Sequence, residues 1–159
     1  MIDRRYSIGL TACILLGLTL LASGIGKLFM NLPNETEFIQ QLSPVFMMSP
    51  LVASMFAYAL PWVEIFAGVL LLLQIFPSLV ATIICVPLTI GFATNNIWMI
   101  SQGAVYEKCN YCFGQLEIIL GSLTPWQSLG IDVIMFGMAC LIVFIGVRYR
   151  MLYGIGDSE

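Results

Sequence analysis

Four long apolar runs, separated by one tight turn and two longer, more polar connections, set the pattern of this chain. The first run, Tyr6 to Phe29, is broken mainly by small residues and has Asp3, Arg4 and Arg5 before it and Lys27 near its end. A signal-peptide core is shorter, roughly 7 to 15 residues, so the run is expected to be a retained membrane span. The second run covers 51–76 and the third 78–100, joined across Gln74 to Ser78 as a helical hairpin. The fourth covers 125–147, with Thr124, Pro125 and Trp126 supplying the N-cap, the first-turn proline and an interfacial aromatic. Each run meets the about 20 residues needed to cross a bilayer as a helix.

The pattern predicts an all-α, integral-membrane four-helix bundle forming a single domain over residues 1–159. In the first connection, Asn34 is followed three residues later by Glu37 and then by Phe38, Ile39 and Leu42, which predicts a short interfacial helix. Composition agrees with the membrane class: 60% of residues are hydrophobic, against six Lys or Arg and nine Asp or Glu. No basic patch points to nucleic acid, and the expected surroundings are the lipid bilayer. Arg4, Arg5, Arg148 and Arg150 flank the two ends of the chain, whereas Lys108 lies in the third connection and Lys27 at its own span boundary. The bias predicts both termini on the cytoplasmic side of the cell membrane and the first and third connections on the outer face.

Histidine is absent, which removes the commonest metal ligand and general base. It also rules out c-type haem attachment, because Phe113 stands where C-x-x-C-H needs histidine. No metal site is expected. The chemistry-bearing motif is Cys109-Asn110-Tyr111-Cys112 in the third connection. Two thiols at this spacing interconvert between dithiol and disulfide, and the outer face is the oxidising side. Two readings fit. In one, Cys109 and Cys112 are catalytic and exchange electrons with an extracytoplasmic partner. In the other they form a structural disulfide, although so short a loop is worth only about 2 kcal/mol. Lys108 favours the Cys109 thiolate and Glu107 opposes it.

Glu64 is the second unusual residue, about 20 Å along span two at 1.5 Å per residue and therefore near mid-membrane. A carboxylate there is costly in lipid and is expected to face the bundle, on a helix side shared with the small residues Ala57, Ala67 and Gly68. Lys27, Asn95 and Asn96 are its candidate partners. Such a group serves a proton relay, a quinone head group or a buried pair that fixes helix register. Asp132, in the first turns of span four, is explained by the helix dipole. Cys13, Cys85 and Cys140 are expected to be buried small side chains.

Together these positions resemble the MauE/DoxX family of redox-associated four-span membrane proteins. The resemblance runs over residues 4 to about 145. It rests on an early Arg, Ser23-Gly24-Ile25-Gly26-Lys27-Leu28, Leu60-Pro61-Trp62-Val63-Glu64 with Gly68, and Cys112-Phe113-Gly114. It implies a four-helix membrane protein whose methylamine-utilisation branch supports periplasmic disulfide formation with a thioredoxin-like partner. That branch has Cys-Gly-Cys-Phe-Gly where this chain has Cys109-Asn110-Tyr111-Cys112-Phe113-Gly114, so Cys112 carries over more directly than Cys109. The DoxX branch adds sulfur oxidation and quinone reduction, so a quinone is a possible cofactor and a transporter or quinone reductase a further reading. The leading expectation is a membrane thiol–disulfide relay. Because the first connection holds no cysteine, its single pair must exchange directly with its partners. The alternative is a non-catalytic accessory subunit of a larger membrane electron-transfer complex.

Overall fold

In the computed structural model the described residues are 4–29, 47, 49–103 and 123–153, with side chains described for 7–29, 47, 49–103 and 123–146. They form α1 (Arg4–Leu28), α2 (Pro50–Leu72), α3 (Pro77–Ser101) and α4 (Pro125–Tyr153). All four are long and apolar enough to cross a membrane, as the hydropathy pattern predicts, and the protein is an all-α, multi-pass membrane protein. The expected interfacial helix after Asn34 lies outside the described residues.

Local signals set the helix ends. Ser49 caps α2, its hydroxyl accepting from the Val52 amide at 3.5 Å, and Pro50 follows in the first turn. At α4 the Thr124 hydroxyl accepts from Gln127 N–H at 3.4 Å while the Gln127 amide oxygen accepts from Thr124 N–H at 2.9 Å. This reciprocal capping box satisfies two amides that a bilayer interface would otherwise leave bare. Helix α2 stops at Leu72, four residues short of the run's apolar end. Gln74 turns left-handed at φ 57°, which lets the Ile75 amide bond to Leu70 O (2.9 Å) and the Gln74 amide to Leu71 O (3.2 Å). The Gln74 side chain adds a bond to Leu71 O at 2.7 Å.

Helix α3 is not uniform. Residues Ala81–Cys85 form a π turn immediately before Val86 and Pro87. Proline has no N–H to donate and its ring crowds the carbonyl four residues back, so one widened turn accommodates Pro87 without ending the helix.

Helix α1 is central: 44% of its apolar window is buried, against 22–28% for the other three. It packs on α2 and α4, and α3 packs on α4. Helices α2 and α3 meet chiefly beside their shared turn and diverge away from it. The α1–α2 seam is built on absent side chains. A Cβ on Gly17 would stand 3.0 Å from Gly68 O, one on Gly68 2.8 Å from Gly17 O, and one on Gly24 2.7 Å from Pro61 O. Small residues let membrane helices approach at backbone contact. Lower in the bundle, Leu16, Leu20, Leu71, Cys85, Met135 and Ala139 fill the core.

Candidate functional site: a buried polar layer across the bundle

The bundle has a terminal end, where α1 begins, α4 finishes and the α2–α3 turn lies, and a loop end, where the two long connections attach. Near the loop end the apolar core gives way to buried Ser23, Lys27, Glu64, Thr89, Asn96, Ser128 and Asp132.

Lys27 sits in the last turn of α1, and Ser23 lies one turn earlier on the same face. Side chains on a helix tilt toward its N-terminus. On antiparallel α1 and α2 that tilt sends Lys27 into the bundle and Glu64 up toward the loop end, and the two meet as an ion pair, Nζ to Oε1. Glu64 is 0% exposed and Lys27 only 7%. Room for the carboxylate comes from Gly24, where a Cβ would approach Glu64 Cβ to 3.1 Å and Ile65 Cγ1 to 2.8 Å. On its other side the ammonium lies over the Phe92 ring, 4.3 Å from the centroid, so α3 also contributes to holding the charge.

A second group ties α3 to α4. Asn96 Nδ2 donates to Asp132 Oδ2 at 2.7 Å and to Ser128 Oγ at 3.0 Å. Lys27 and Glu64 lie near enough to act electrostatically on Asp132, so the two groups form one layer. It contains two carboxylates and one ammonium. Each helix contributes at least one of these buried polar residues.

Of the candidate partners for Glu64, Lys27 is the one that meets it. Asn96 instead bonds to Asp132 and Ser128, because the α3–α4 contact carries it to that side. Asn95 turns away from both: among the described residues its Oδ1 is buried without a partner, and its Nδ2 meets Met99 Sδ at 4.0 Å. Asp132 therefore has a tertiary partner beyond its favourable place near a helix N-terminus. The signal was present in the i, i+4 spacing of Ser128 and Asp132, which continues into the inward stripe of Met135, Ala139 and Ile142. Cys140 corrects another expectation. Cys13 and Cys85 are buried, but Cys140 is exposed, because its neighbour Ala139 occupies the inward position of α4.

Cys109 and Cys112 lie outside the described residues. Among those described, no group of three or more His, Cys, Asp or Glu side chains is placed to hold a metal ion. A family model described as methylamine utilisation protein MauE matches residues 5–147. Comparison with curated proteins and with solved structures finds no match.

Proposed function

The chain belongs to the MauE family, and from that premise we propose that this membrane protein serves methylamine utilisation as a thiol–disulfide relay. Cys109 and Cys112 exchange electrons with an extracytoplasmic, thioredoxin-like or maturing protein. The observation that carries the reading is the C-x-x-C pair itself, within the family match and in one of the few polar stretches of a largely apolar chain. Four spans with Arg at both ends support an outer-face position for that stretch in this proposal, where disulfides form and persist.

The exchange balances without any further reactant. A partner thiolate attacks one sulfur of the Cys109–Cys112 disulfide and forms a mixed disulfide. The partner's second thiolate then displaces it, leaving the partner oxidised and Cys109 and Cys112 as thiols. The reverse sequence oxidises the pair, and the relative potentials set the direction. The buried layer has a supporting part in this reading. It fixes the four helices at the end from which the cysteine connection leaves, while the Lys27–Glu64 pair itself is closed off from its surroundings.

The test is the redox state of the pair in native membranes, read by an impermeant alkylating reagent before and after reduction. The relay predicts that both states occur, and that a Cys109→Ser or Cys112→Ser variant traps its partner in a reducible mixed disulfide. A pair that never changes state, with a double serine variant that assembles and functions normally, would leave the accessory-subunit reading in its place.

A further inference from the structure

Arginine collects at the terminal end of the bundle. Four of the chain's six Lys and Arg residues are Arg4 and Arg5, at the start of α1, and Arg148 and Arg150, in the last turns of α4. These two helices pack on each other, and near this end Gly9 of α1 faces Ile145 of α4: a Cβ on the glycine would stand 3.4 Å from Ile145 Cδ1. Arg4 lies five residues before that contact along α1 and Arg150 five residues after it along α4. At 1.5 Å per residue both stand about 7.5 Å beyond it, with Arg5 and Arg148 on the same stretch. The packing therefore brings four guanidinium-bearing residues to one level of two touching helices. Among the described residues no acid lies at this end, since Glu64 and Asp132 belong to the layer near the loop end. Asp3, Asp157 and Glu159, the acids nearest in sequence, lie outside the described residues.

Beside the same contact, α1, α4 and the α2–α3 turn surround a cleft of about 300 Å³. Its walls include Gly9, Leu10 and Cys13 from α1, Ile142 and Ile145 from α4, and Pro77 at the start of α3. The lining is almost wholly apolar and runs from Gly9, about one turn from Arg5, toward mid-span at Cys13. A signal for orientation requires basic residues beside the spans, but neither their common level nor an apolar cleft next to them. The two features together are complementary to one kind of molecule. Guanidinium groups bind phosphate oxygens in pairs, basic pockets between spans hold anionic head groups, and an apolar cleft accepts a hydrocarbon chain. We propose that an anionic phospholipid binds here, its phosphate at the level of the four arginines and one acyl chain in the cleft. The binding needs no thiol exchange and can be read in detergent, where membrane sidedness has no part, so its failure would leave the relay untouched.

The probe is diacyl phosphatidylglycerol, titrated against the full chain in a neutral detergent, with bound lipid counted by native mass spectrometry. Phosphatidylcholine with the same chains and the deacylated head group, glycerophosphoglycerol, serve as comparisons. Phosphatidylglycerol is expected to bind saturably and ahead of phosphatidylcholine, and glycerophosphoglycerol should not displace it. Arg148→Gln and Arg150→Gln should each weaken binding by roughly 5-fold, the weight of one basic residue at an anionic membrane surface. Lys108→Gln, which removes the same charge from the third connection, should leave it unchanged. Leu10→Trp keeps all four arginines but fills the cleft, and it too should weaken binding. Equal binding of phosphatidylcholine, uptake that rises with lipid without saturating, or displacement by the free head group would overturn the site. So would wild-type affinity in the Arg148→Gln, Arg150→Gln double variant or in Leu10→Trp.

Discussion

Lys27 and Glu64 show why a buried ion pair is easier to break than to replace. Each charge has been taken out of water, and each is tolerable there because the other is present. Removing Glu64 alone leaves the ammonium over the Phe92 ring without the carboxylate it pairs with, and removing Lys27 alone leaves the buried carboxylate without its counter-charge. Glu64→Leu and Lys27→Met are each expected to lower stability by about 3 kcal/mol or more, whereas the double variant should recover most of the loss. Reversible unfolding in mixed micelles checks this, and additive single losses would mean that the two side chains do not act as a pair. The pair was partly legible in the sequence: an acid at mid-span demands a partner, and Lys27 was among the three named. Asn96 and Asp132 were not legible as partners. Their meeting depends on how α3 rotates against α4, a tertiary choice that neither helix's own pattern specifies.

At the scale of the helix, glycine has two meanings in this bundle. Gly24 is a contact: a Cβ there would stand 2.7 Å from Pro61 O and 2.8 Å from Ile65 Cγ1, and backbone cannot yield as a side-chain tip does. Gly137 on α4 is exposed, and a Cβ there meets nothing within 4 Å. Gly24→Ala should therefore destabilise by about 1–3 kcal/mol and spread α1 from α2. Gly137→Ala should be neutral or stabilising by up to about 1 kcal/mol. Melting of the two variants side by side decides it, and equal effects would show that α1 and α2 do not pack at backbone contact. Sequence pattern located these helices well because span length, Thr124 and Pro125 act locally. It did not show the π turn before Pro87, since proline in a span signals a disturbed turn without saying whether the helix ends, kinks or widens. Nor did it show that α2 closes at Leu72, because Leu73, Ile75 and Phe76 are as apolar as the helix that precedes them.

The whole molecule is a row of helices in the order α2, α1, α4, α3, folded so that α2 and α3 meet beside their turn and part toward the loop end. Hydropathy gives the number of spans but not this order, which is set by where the glycines of α1 and α2 fall and by the polar contacts of α3 with α4. The two long connections leave from one end of the row and the chain termini from the other. The proposed orientation in the membrane rests on a single asymmetry: Arg4, Arg5, Arg148 and Arg150 all lie at the terminal end. With that end in the cytoplasm, a cysteine introduced at Gln74 should stay unlabelled by an impermeant maleimide in intact cells and react after permeabilisation, in a background lacking Cys109 and Cys112. A cysteine introduced at Gln102, beyond the last turn of α3, should react in intact cells. The opposite pattern would put Cys109 and Cys112 on the reducing side of the membrane, where a persistent disulfide is not maintained, and the relay would lose its compartment.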